Sequence, residues 1–407
     1  MPYSSTEGTK RMSSSNLASS PAARSRRSFL RLAGLTASLP LITEGHLAWA
    51  ATQQTTAATP AKVAPRSRVV HVMPPGAVII NANENPLGPC PAALEAIAKI
   101  AVTGGRYDAT GAVDRLNQTI AKQTGVPADH IAIYAGSSEP LQYTVMAFTS
   151  PSRSYVTADP SYEAGTWAAS AAGAKIVNIP LTPTHAHDLK AMIAADANAG
   201  VIYVCNPNNP TGTLTPREDI VWAADNLPKG AVLLVDEAYI HLSDAPSVLD
   251  LVSAGKDVIV LRTFSKVYGM AGIRCGMAIA RPELLHKLQQ FGMNYMPVTS
   301  VAAATASLEQ PTLVAERKKI IGDTRNATFA WLTANKFKYV PSVSNCFMID
   351  TGRPGKEVIA AMAEKNVFIG RTWPIWPNHV RITVGTPDEM AKFQTAFAAV
   401  MGSAKNA

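Results

Sequence analysis

Six short apolar runs, at residues 131–135, 154–157, 175–179, 200–205, 231–235 and 258–262, are separated by segments of helix length. Each run carries apolar side chains on both faces, so a strand made from it must be covered above and below. A parallel sheet lying between two layers of helices meets that condition; a sheet with one wet face does not. The fold class expected is therefore α/β, with a large domain over residues 106–299 built on a mostly parallel sheet between helices. Beyond residue 300 the rhythm changes to a long helical stretch through Trp331, strands at 347–350 and 380–384, and a closing helix from Pro387. This predicts a smaller α+β domain over 300–407, with an N-terminal segment at 69–105 packing against it. At 407 residues the chain is too long for one ordinary core. Its 47% hydrophobic and 16% charged residues match a globular enzyme and not a disordered chain.

The first 50 residues read differently. Arg26 and Arg27 precede Ser28 and Phe29, an uncharged and mostly apolar stretch runs from Leu32 to Thr43, and Ala48, Trp49 and Ala50 make a small-x-small cleavage site. A basic segment, an apolar one and such a site predict an export signal over 1–50, and the paired arginines assign it to the twin-arginine machinery. An amphipathic N-terminal anchor is the alternative. A span is not, because the stretch is far shorter than the ~20 residues that cross a bilayer. A linker rich in Ala, Thr, Gln and Pro follows at 51–68. The mature protein is expected to be soluble, and periplasmic or secreted after folding in the cytoplasm; the usual reason to fold before export is a cofactor loaded there. The formal charge of +8 includes six basic and two acidic residues of the leader. Without them 31 basic and 27 acidic residues remain, a net +4 spread without a basic block, so nucleic-acid binding is not indicated. Cys90, Cys205, Cys275 and Cys346 form no short pair and have no adjacent histidines, which argues for free thiols and against zinc.

In an open parallel sheet, ligands sit outside the carboxyl ends of the strands, so the polar residues that close each apolar run matter most. The run 131–135 ends in Gly136, Ser137, Ser138 and Glu139 before Pro140. A glycine turn with two hydroxyls at a helix start offers free N–H donors to a phosphate, although the same residues also make an ordinary N-cap. The run 200–205 ends in Asn206-Pro-Asn-Asn-Pro-Thr-Gly212, a rigid turn that points an amide into the crevice or is merely structural. Asp236 follows five apolar residues and needs a cation or donors to be tolerated there; a salt-bridged strand end is the simpler alternative. The run 258–262 leads into Thr263, Phe264, Ser265 and Lys266, with Arg274 eight residues beyond the lysine. A lysine, a strand-end carboxylate, a phenol, an amide and a phosphate cradle together suit no metal site and no serine triad, but they suit pyridoxal phosphate.

NANENPLG at 81–88, NPNNPTG at 206–212, DEAY at 236–239, RTFSK followed by GMAGIRCG over 262–276, and RITVGTP at 381–387 resemble histidinol-phosphate aminotransferases. These are members of the class I/II pyridoxal-phosphate enzymes with the aspartate-aminotransferase fold. The resemblance runs from about Asn81 to the end of the chain, with the motifs in family order. It implies that Lys266 forms the Schiff base with pyridoxal 5′-phosphate and moves the proton, and that Asp236 keeps the ring nitrogen protonated. It further implies that Tyr239 and Asn209 bond the phenolic oxygen and that Tyr162 stacks on the ring. Ser137, Ser138, Ser265 and Arg274 would hold the cofactor's phosphate, with Tyr107 reaching it from the second subunit of a homodimer, and Thr263 would also bind the cofactor. Asn85, Arg371 and Arg381 would meet the substrate, Arg381 taking its carboxylate or phosphate. The partners implied are a small amino donor and a 2-oxo acid acceptor.

Three features depart from the family. Tyr107 is followed by Asp108 where proline is usual, the segment 371–376 carries Trp373 and Trp376, and export is odd for histidine biosynthesis. The substrate is thus left open. The competing enzyme is a decarboxylase or lyase on the same scaffold, disfavoured if Arg381 shields the substrate carboxylate. The competing non-enzyme is a periplasmic binding protein, disfavoured because such a site would be free to lose Lys266.

Overall fold

The computed structural model describes residues 73–292 and 295–402; the expected leader at 1–50 and linker at 51–68 lie outside them. Its strands are β1 (Val78–Ile80), β2 (Ile131–Tyr134), β3 (Ser154–Asp159), β4 (Ile176–Pro180), β5 (Ala199–Cys205), β6 (Val232–Asp236), β7 (Val258–Thr263), β8 (Gly276–Ile279), β9 (Lys338–Val340), β10 (Cys346–Asp350), β11 (Val367–Ile369) and β12 (His379–Thr383). All six apolar runs become strands of one seven-stranded sheet, ordered β2-β8-β7-β6-β5-β3-β4. The pairs from β7 through β6, β5 and β3 to β4 are parallel, and every residue of β5 and β6 is buried. At the edge, β4 is half-exposed and ends in Pro180, which an edge tolerates because its missing N–H breaks no inner ladder. The sheet is not wholly parallel. Strand β8 lies antiparallel to both β2 and β7, so a short return strand separates β2 from its parallel neighbours.

The C-terminal part holds a three-stranded antiparallel sheet, β12-β10-β9, and a parallel pair of β1 with β11. The long helical stretch is two helices, Val298–Leu308 and Leu313–Ala334, interrupted at Pro311, whose missing N–H and ring disfavour a continuous helix. The first of them packs on helices Pro91–Ala101 and Ala112–Thr124. The segment at 69–105 makes its contacts in two places, β1 pairing with β11 and the helix after it packing on Val298–Leu308. The closing helix, Pro387–Met401, begins with a capping box between Thr386 and Glu389 and a proline in its first turn. One hydrophobic cluster runs from Leu234 of β6 to Phe347 of β10, so the two sheets share a core. Among the described residues, no helix is long and apolar enough to cross a membrane.

Candidate active site

The carboxyl ends of β2, β5, β6 and β7 face the turn after β1, the residues after β11, and β12. Between them lies a cavity of about 440 Å³, within the usual size for a small-molecule site. Its walls include Ser137, Ser138, Tyr162, Asn209, Asp236, Tyr239, Thr263, Ser265, Lys266, Arg274, Arg371 and Arg381. Two residues expected at the site, Asn85 and Tyr107, are not among them.

Asp236 is the last residue of β6. Its Oδ1 accepts from the Ala238 N–H at 3.0 Å and its Oδ2 from the Tyr203 hydroxyl at 3.1 Å. Burial pushes this carboxyl up to about 6, against the pull of those neutral donors. A buried carboxylate held only by neutral donors at hydrogen-bond distance is fitted to a cationic partner in the cavity. The neighbouring acid, Glu237, is spent differently: it takes two bonds from Arg262, at 3.0 and 2.9 Å, and one from Val248 N–H.

Lys266 donates from Nζ to the Asn83 carbonyl at 2.9 Å and lies 5.4 Å from the centre of the Tyr239 ring. Burial, then the charge of Arg381, push its amine down to about 8. The Tyr239 hydroxyl accepts from Asn83 Nδ2 at 3.0 Å. Asn83 was not singled out from the sequence, yet it links Tyr239, Asn209 and Cys346, and its backbone N–H bonds Thr383 Oγ1 of β12 at 2.9 Å. It does so from the left-handed region, φ 54°, which asparagine tolerates better than most residues. Asn85, two residues on, turns away from the cavity; its amide donates to the Lys266 and Val267 carbonyls at 3.1 and 3.0 Å. It positions the lysine's loop.

The turn after β2 is shaped for an anion. Gly136 has φ 97°, and a Cβ there would stand 2.1 Å from Arg274 Nη2, so only glycine lets the guanidinium close over the turn. Arg274 reaches the Ala135 carbonyl at 3.0 Å and Ser265 Oγ at 3.4 Å. Ser137, at the N-cap of helix Ser138–Phe148, makes no side-chain capping bond, and Ser138 Oγ meets the Tyr162 hydroxyl at 3.1 Å. Hydroxyls, a helix start and a guanidinium thus converge as a phosphate would require.

On the opposite wall, Arg381 of β12 donates to Asn209 Oδ1 at 2.9 Å and to the Asn81 carbonyl at 2.7 Å, while its buried Nε has no partner. Arg371 pairs with Glu163 at 2.6 Å. Trp373 is 1% exposed and lies beneath both arginines, with Nε1 bonded to the Ser161 carbonyl; Trp376 packs against His185 and His379. Neither tryptophan lines the cavity. Tyr107 is 82% exposed and stacks on Tyr295 at 4.9 Å. Asp108 beside it has a local task, accepting from the Ala112 and Val113 N–H groups at the start of a helix. All four cysteines are buried and free.

Residues 76–397 match the family described as aminotransferase class I and II. The chain belongs to that family. A histidinol-phosphate aminotransferase of Symbiobacterium thermophilum is 34% identical over 332 residues, covering 80% of this chain and 91% of the relative. An aromatic amino acid aminotransferase of Rhodococcus jostii is 36% identical, with 78% and 89% covered. Among solved structures, the histidinol-phosphate aminotransferase of Sinorhizobium meliloti in complex with pyridoxal-5′-phosphate superposes with a TM-score of 0.73 at 28% identity, covering 79% of this chain and 90% of that one. An aspartate aminotransferase of Thermus thermophilus has a TM-score of 0.70 at 19% identity, with 80% and 91% covered, a likeness of fold alone.

Proposed function

We propose that this class I and II aminotransferase uses pyridoxal 5′-phosphate in a site of the histidinol-phosphate aminotransferase type to move an amino group between an amino acid or amino phosphate and a 2-oxo acid. The observation that carries the reading is one cavity holding a buried amine, a buried carboxylate whose hydrogen-bond partners are all neutral, and an anion cradle. The cofactor, when bound, supplies a ring that withdraws electrons from the substrate Cα. Arg274, Ser137, Ser138 and Ser265 would hold its phosphate, Tyr162 its face, and Asp236 the proton on its ring nitrogen. Lys266, with an amine pushed down to about 8, keeps a neutral fraction near neutrality that can take a proton from Cα and return it. Arg381 fixes the acidic end of the substrate and so the direction of its Cα–H bond. A carboxylate bound there is kept from loss, which favours transamination over decarboxylation.

The test is chemical. Borohydride reduction of the holoenzyme should leave a cofactor adduct on Lys266, and Lys266→Ala should lose both adduct and turnover. An adduct mapped to another lysine would sink the assignment.

Two finer readings complete the proposal. The Arg26–Arg27 leader is read as a twin-arginine signal that sends the folded protein to the periplasm or beyond. The exposed Tyr107 and Tyr295, 82% and 64% accessible, support a homodimer in which Tyr107 reaches the partner's cofactor.

A further inference from the structure

Two guanidinium groups share one indole at the wall of the cavity. The Cζ of Arg371 lies 4.6 Å from the centre of the Trp373 ring, and that of Arg381 5.6 Å from the same centre. The ring is fixed by burial and by its bond to the Ser161 carbonyl at 3.1 Å, and the Arg381 N–H holds the Arg371 carbonyl at 3.2 Å. Both side chains line the cavity, yet their charges are not equivalent there. Arg381 has neutral hydrogen-bond partners and a buried Nε with none. Arg371 meets the Glu163 carboxylate at 2.6 Å. Glu163 follows Tyr162 directly and sits at the N-cap of helix Ala164–Ala171 without making a capping bond.

We propose that Glu163 is a specificity-determining residue: paired with Arg371, it leaves Arg381 as the guanidinium with no carboxylate at hydrogen-bond distance, free for the acidic end of the substrate, and so fits the cavity to the carboxylate of a free amino acid and against a phosphate monoester. This rests on the aminotransferase reading above and narrows its substrate class. A carboxylate has one charge and two oxygens, which a single guanidinium fork matches. A phosphate monoester carries about −1.5 to −2 near neutrality and three acceptor oxygens. To seat it, the site must either hold the extra charge beside Glu163 or break the Glu163–Arg371 pair and strand that carboxylate. A repulsive group built beside the binding point is a common device for rejecting a near-substrate. Stability explains the pair poorly, since its side chains are 41% and 30% exposed and the Glu163 Oε2 that faces Arg371 is buried without a hydrogen bond.

Glu163→Gln keeps the shape and removes the charge. In holoenzyme, kcat/KM would be measured for phenylalanine and for histidinol phosphate, and calorimetric binding for two unreactive anions, 3-phenylpropionate and phenethyl phosphate. The wild-type protein is expected to prefer the carboxylate in both pairs. In Glu163→Gln both ratios should shift toward the phosphate by about tenfold or more, while Glu163→Asp, which keeps the charge, should hold the wild-type order. Wild-type preference for the phosphate in both pairs, or unchanged ratios in Glu163→Gln, would overturn the proposal. A cofactor spectrum that no amine alters would instead overturn the aminotransferase reading, with the two unreactive anions still deciding the role of Glu163.

Discussion

Asp236 and Lys266 are held away from their ordinary ionisation in opposite senses, and each has its own pH signature. The Asp236 carboxyl, pushed up to about 6, binds its proton more tightly in the folded chain than in the unfolded one. Its stabilising contribution is complete below the ordinary carboxylate range and lost as pH rises through about 6. Above that pH the buried carboxylate costs roughly 3 kcal/mol, at about 1.4 kcal/mol per unit. Lys266, pushed down to about 8, contributes fully above the ordinary amine range and loses that contribution as pH falls through about 8. Cofactor-free Asp236→Asn should therefore melt higher than cofactor-free wild type at pH 8, with little gain at pH 4, while the cofactor-loaded variant's half-reaction with amines should be slower than wild type by orders of magnitude. Calorimetry at the two pH values checks this, and an equal or lower Tm at pH 8 would count against it. Both residues were legible in the sequence because Asp236 closes an apolar run with a charge that burial must justify, and Lys266 follows another between hydroxyls with Arg274 downstream. Asn83 was not. Its role depends on a left-handed backbone and on partners 126 to 300 positions away, and spacing along the chain reports neither.

The loop 206–212 and the loop 159–162 act as one element, joined by Asn208. Its Nδ2 donates to the Pro160 carbonyl at 3.1 Å and Thr211 Oγ1 at 2.9 Å, and its Oδ1 accepts from Ser161 Oγ at 3.0 Å. His187, which burial pushes down to about 4, stands 3.3 Å from the same oxygen. Ser161 in turn carries Trp373, and through it both arginines. Asn208→Ala strands several buried groups at about 1–3 kcal/mol each. The expected result is a lower Tm together with cofactor affinity reduced by about tenfold or more, because Tyr162 and Asn209 loosen together; a melting shift with cofactor titration unchanged would refute that coupling. The six strands of the main sheet were readable from their apolar runs. Strand β8 was not, because its four residues, beginning with the last glycine of the motif at 269–276, carry no periodicity of their own and are fixed only by pairing on both sides. Pro311 marks the break in the long helical stretch.

For the whole molecule, the division at about residue 300 parts the seven-stranded sheet from the three-stranded one but not their packing, since one large hydrophobic cluster reaches both, beside a small second one of Val340, Met348 and Trp373. The change of rhythm in the sequence was sensitive to the sheets, while contact between them follows from packing that no local pattern encodes. At this scale, mature protein should sediment as a dimer at micromolar concentration. Arg26→Lys with Arg27→Lys should leave a longer, uncleaved precursor in the cytoplasm, detected by fractionation; normal export of that variant would remove the twin-arginine reading.

The site is closed by bonds between the early turn and β12, Asn83 to Thr383 and Arg381 to Asn81, each spanning 300 positions. At about 5–20 residues per second, a ribosome needs roughly 15–60 s to travel from the first partner to the second. Through that interval the wall that carries Arg381 has not been made, and a growing chain offers the acidic end of a substrate no place to settle, although the residues proposed for the cofactor, from Ser137 to Arg274, are already out. Substrate binding is thus an event of the finished polypeptide, and the export signal proposed for residues 1–50 would become readable well before that binding wall exists.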